Sequence, residues 1–166
     1  MNALAWLAQQ QDGFGDLPDE ETRSMMEFSL LWAFFEANHL NSNASSRTIA
    51  QFSETLGQRD AIDLEPLKEA LAYWRSRYVQ KDEFTRHFDY LYLRPGDNVD
   101  IVRSVLRGED ESPLAVLTCL LTLIYRYRNN LFHGLKWAYG LKGQLGNFAN
   151  GSEVLMAVSE MAKRKG

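Results

Sequence analysis

The chain has 166 residues, enough for one domain with a sizeable core and short of two. Apolar residues make up 45% and charged residues 24%, which excludes a disordered tail, a fibrous protein and a disulfide-stapled miniprotein. The net charge of −4 argues against non-specific coating of nucleic acid, and the lone cysteine, Cys119, excludes an intrachain disulfide.

The opening segment MNALAWLAQQQDG carries no Lys or Arg ahead of its apolar residues, so it lacks a secretory n-region. The longest apolar run, Leu114 to Tyr125, is too short to span a bilayer. The expectation is a cytoplasmic protein with no membrane partner.

Met25, Phe28, Trp32 and Phe35 step by three and four residues, which predicts a helix from about Glu20 to His39 with Asp19 as N-cap. Thr48 to Leu56 reads as a short helix stopped by Gly57, and Asp63 caps another over Leu64 to about Val79. Phe84, Phe88, Leu91 and Tyr92 repeat the pattern until Pro95-Gly96, and Val99 to Leu106 follows until Gly108. Ser112-Pro113 is the sharpest start signal. The helix that it opens, Ser112–Asn130, should be central, with Leu117, Leu120, Leu121 and Ile124 largely buried. Gly140, Gly143 and Gly146 read as a flexible connection, and a last helix runs from about Glu153 to Lys163. Hairpin signals are missing. The prediction is an all-α, single-domain bundle of five to seven helices over residues 1–166, with its core in about 20–163.

Charge is uneven along this chain. Leu114 to Ser152 contains no Asp or Glu but holds Arg126, Arg128, Lys136 and Lys142. Asp12 to Glu36 holds seven acids against one base, Arg23. A local anion site fits this pattern, and so does a buried helix followed by a Gly-rich loop with no room for carboxylates.

Three histidines (His39, His87, His133) and one cysteine match no usual zinc site, and nucleotide-type glycine motifs are absent. No metal or cofactor is expected. His39 reads as a helix-end imidazole, His87 as the partner of a nearby acid, and Trp6, Trp32, Trp74 and Trp137 as core or interface packing.

The densest polar cluster is Tyr125–Gly134, YRYRNNLFHG, at the end of the most apolar helix. At about 100° per residue, Asn129 and His133 fall about 40° apart, whereas Arg128 and His133 are splayed by about 140°. Convergence of the latter two needs a distorted helix end or a second copy of the chain. Polar groups beside a buried helix need partners, since desolvation without them costs about 1–3 kcal/mol each. The plainer reading is a polar helix end closed by Gly134.

Arg128-Asn129-Asn130-Leu131-Phe132-His133 resembles the R-x(4–6)-H motif of HEPN domains, with the usual polar residue after the Arg and a following Gly134. Phe28-Ser29-Leu30-Leu31-Trp32, with Glu36 one turn on, resembles the first long helix of many members. The resemblance implies an all-α, metal-independent endoribonuclease acting as a homodimer with facing motifs, possible roles being a toxin or phage-defence effector. In such an enzyme the RNA 2′-OH is the nucleophile. His133 would serve as general acid or base, Arg128 would hold the scissile phosphate, and Asn129 would orient either. Arg126, Asn130 and Lys136 are candidate RNA contacts. An antitoxin or another protein is a candidate partner. The alternative is a non-catalytic HEPN-like module that binds a protein partner or a nucleotide.

Overall fold

A computed structural model describes residues 2–132 and 142–164. These form eight α-helices: α1 (Ala3–Gln10), α2 (Asp19–His39), α3 (Ser46–Gln58), α4 (Lys68–Tyr78), α5 (Arg86–Asp89), α6 (Val99–Arg107), α7 (Pro113–Phe132) and α8 (Leu145–Lys163). Glu65–Leu67 adds a 3-10 turn before α4, and two short strands, β1 (Val79–Gln80) and β2 (Glu83–Phe84), pair antiparallel. The fold is all-α, as the periodicity predicts. The described residues hold eight helices rather than five to seven, because the exposed α1 and the four-residue α5 are too short or too little buried to leave a periodic signal. Among the described residues no helix is long and apolar enough to cross a membrane.

Local chemistry explains the element ends. Asp19, Glu20 and Glu21 fill the first turn of α2, where the positive end of the helix dipole favours them. Ser45 and Thr48 form a reciprocal capping box at the start of α3. Gly108, at φ 75°, supplies the left-handed residue that closes α6. Pro113 is the first residue of α7, where its missing N–H costs no helical bond.

Helix α7 runs through the core. Every residue from Ala115 to Ile124 is buried, including Leu117, Leu120, Leu121 and Ile124. Helices α3 and α6 pack against it, and α2 lies along α8. That last pairing explains Gly151. A Cβ there would sit 2.9 Å from the Phe28 ring, so the small residue permits a close approach of α2 and α8.

Several local expectations change. Pro18, not Asp19, is the N-cap of α2. The stretch from Phe84 to Tyr92 holds a strand end and the short α5 rather than one helix. The last helix begins at Leu145 rather than near Glu153, and Gly146 and Gly151 lie inside it because large rings occupy the space beside them. Residues 3–10 form a helix that periodicity had not marked, since all of its residues remain outside the buried core. A hairpin also forms without Asn-Gly. Lys81 and Asp82 both adopt positive φ (51° and 64°), the conformation that a two-residue turn between twisted strands requires.

Candidate functional site

The polar end of α7 has two faces. Arg126 and Asn130, four residues apart, point to the loop that follows α5. Arg126 is only 2% exposed. Its Nε donates to the Leu91 carbonyl at 3.1 Å, and its Nη1 lies 3.5 Å from the Asp97 carboxylate. Burial opposes the Arg126 charge and Asp97 supports it. Asp97 is itself buried, accepting the Ser46 hydroxyl at 2.6 Å and the Arg94 N–H at 2.7 Å. Asn130 donates to the carbonyls of Tyr90 and Leu91 at 3.2 and 3.3 Å. Both residues fasten a loop to the central helix. The expectation that Arg126 and Asn130 contact RNA is corrected, since their polar groups are buried and engaged within the protein.

Arg128 lies against α2 instead, with Asn129 next to it in the chain. The Arg128 side chain is 29% exposed, and its guanidinium carbon lies 5.3 Å from the Phe132 ring centroid and 6.0 Å from that of Trp32. Its Nη1 donates to Asn129 Oδ1 at 3.0 Å, and its Nη2 stands 3.6 Å from Glu36 Oε2. Its Nε is buried and has no hydrogen-bond partner among the described residues. Glu36 is held independently, with Oε2 accepting the Trp32 indole N–H at 2.8 Å and Oε1 the Ala44 N–H at 3.1 Å. His133 and Lys136 lie outside the described residues, His133 directly after the last residue of α7.

An apolar surface adjoins this face. Met26, Leu30 and Phe34 recur every four residues along the outside of α2, and Leu30 is 73% exposed. Beside them a hollow of about 570 Å³ opens between α1, α2 and the end of α7, lined by Leu4, Leu7, Phe14, Met25, Leu131 and Phe132. The exposed Phe132 connects this apolar surface to Arg128.

Reading by motif had assigned no role to Asp97 and had placed Glu36 only within the first long helix. A signal for Glu36 was present: it lies one turn beyond Trp32, close to the phase of the apolar residues, where an acid needs a partner. Asp97 had a weaker one, in the turn sequence Pro95-Gly96-Asp97-Asn98. Among the described residues, no group of three or more His, Cys, Asp or Glu is placed to hold a metal ion. Comparison with protein-family models, curated proteins and solved structures finds no match for the chain.

Proposed function

We propose that the chain is a metal-independent endoribonuclease of the HEPN type, acting as a two-fold homodimer. The observation that carries this reading is the partly exposed Arg128 side chain, bonded to Asn129 near the end of the most buried helix. In the reaction the RNA 2′-oxygen attacks the adjacent phosphorus, a 2′-O–P bond forms and the P–O5′ bond breaks. His133 takes the 2′-OH proton or gives one to the departing 5′ oxygen, and the partner subunit's His133 performs the complementary transfer. Arg128 binds a non-bridging phosphate oxygen and stabilises its growing charge. Lys136 contacts the RNA backbone. The stripe of Met26, Leu30 and Phe34, continued by Phe132, gives the second copy an apolar surface to cover. A cytoplasmic toxin or phage-defence role, with an antitoxin as partner, fits this reading.

The same apolar stripe favours a second reading, a non-catalytic helical module that binds a protein partner or a nucleotide. Cleavage of single-stranded RNA in EDTA separates the two. The ribonuclease reading expects a 2′,3′-cyclic phosphate and a 5′-hydroxyl, uncut DNA, and a loss of about 10²–10⁴-fold in rate for His133→Ala. A His133→Ala protein that cuts as fast as wild type, or wild-type protein that cuts no RNA, overturns it.

A further inference from the structure

Within the Arg128 cluster, Glu36 is the fixed partner and Arg128 the movable one. Both Glu36 oxygens accept hydrogen bonds from groups other than the arginine, the Trp32 indole within α2 and the Ala44 backbone before α3. The carboxylate therefore keeps its place whether or not Arg128 is present. The Nη2 to Oε2 separation of 3.6 Å, by contrast, is an ion pair lacking a close hydrogen bond. Among the described residues, Arg128 is held by that charge, by one bond to Asn129 and by two aromatic faces. A phosphate oxygen arriving from solvent offers the same sign of charge and room for shorter, charge-assisted bonds.

We propose that Glu36 is a positioning residue that acts as an internal stand-in for the substrate phosphate, holding Arg128 at rest and ceding it when RNA binds. This rests on the reading of Arg128 as the phosphate ligand. The Glu36 charge then has two opposed consequences. It keeps the guanidinium ordered between Trp32 and Phe132, and it competes with the phosphate for the same cation. The competition outweighs the ordering, because Asn129, Trp32 and Phe132 also hold the guanidinium, so removing the Glu36 charge raises the affinity for RNA. Because the Arg128 cation lies near the Trp32 ring, its withdrawal by phosphate also changes Trp32 emission.

The test uses a labelled 2′-O-methyl oligoribonucleotide, which lacks the nucleophile and so reports binding without cleavage. Its affinity is measured for wild type, Glu36→Gln, Arg128→Ala and the double variant. Trp32 emission is taken as the difference from Trp32→Phe. Glu36→Gln is expected to bind about fivefold more tightly than wild type, with the gain vanishing in the Arg128→Ala background. RNA should alter Trp32 emission in wild type and leave it unchanged in Arg128→Ala. Glutamine leaves one of the two fixed donors unmatched. If Glu36→Gln misfolds, Trp32→Phe/Glu36→Gln is compared with Trp32→Phe, because that pair removes one donor together with one acceptor. Equal or weaker binding by the charge-neutral variant overturns the proposal, as does a gain of the same size without Arg128. Binding with the expected gain but no cleavage of ordinary RNA leaves the Glu36 role standing and overturns the ribonuclease reading. Cleavage without the gain overturns the Glu36 role alone. No binding by any variant overturns both.

Discussion

Arg126 and Arg128 lie two residues apart on α7, yet the first is 2% exposed and the second 29%. Two residues are about 200° of helix, so the side chains leave on opposite faces. One meets a loop whose carbonyl and carboxylate, Leu91 and Asp97, are already buried. The other meets α2, where it lies beside Trp32 and Glu36 and its side chain stays partly exposed. Composition is the same at both positions. The environment turns one cation into a structural tie and leaves the other able to meet an anion.

The largest expected effect on the closed face is a loss of stability. Arg126→Ala leaves Asp97 buried without its cation, which costs about 3–5 kcal/mol. In thermal unfolding that is a drop of about 6–20 °C for a domain of this size. Asn130→Ala strips one donor from the Tyr90 and Leu91 carbonyls and should cost about 1–3 kcal/mol by denaturant titration. Gly151→Ala tests the scaffold behind both faces. Its methyl would press on Phe28 and should cost about 1–3 kcal/mol, and an unchanged midpoint would refute the close approach of α2 and α8.

A smaller effect involves His39 at the end of α2. Burial, then Lys163 on α8, lowers its pKa below the ordinary value of 6.5. The unfolded chain therefore takes up this proton at higher pH than the folded one. The stability associated with neutral His39 is complete above about pH 6.5 and declines as pH falls toward the lowered folded value. Stability measured against pH should decline less in this range for His39→Gln than for wild type. Parallel profiles would remove His39 from the balance.

The helical fold was legible because apolar residues at three- and four-residue spacing mark buried faces, and α7 is apolar all round. What periodicity cannot carry is contact at a distance in sequence. Gly146 and Gly151 look like breakers in a one-dimensional reading, but Tyr73 and Phe28 take the room that their missing side chains leave. Lys81-Asp82 turns a hairpin without glycine, both residues taking positive φ between strands of only two residues each, too short to show an alternating pattern. At the candidate site, the sequence reading pointed to Arg128, Asn129 and His133 together with Arg126, Asn130 and Lys136, of which His133 and Lys136 lie outside the described residues. Separating the other four required Asp97 and Glu36, which lie far off in the chain and become neighbours only through packing.

The most direct test places Arg128→Ala beside Arg126→Ala and reads melting temperature and RNA cleavage in EDTA for each. Arg128→Ala is expected to stay within about 1 kcal/mol of wild-type stability, since its ion pair is partly exposed, while cleavage falls by about 10²–10³-fold. Arg126→Ala is expected to melt far earlier and, below its transition, to retain most of its cleavage rate. The reverse pattern, an unstable Arg128→Ala or a stable Arg126→Ala that no longer cuts RNA, would contradict the division of the two faces.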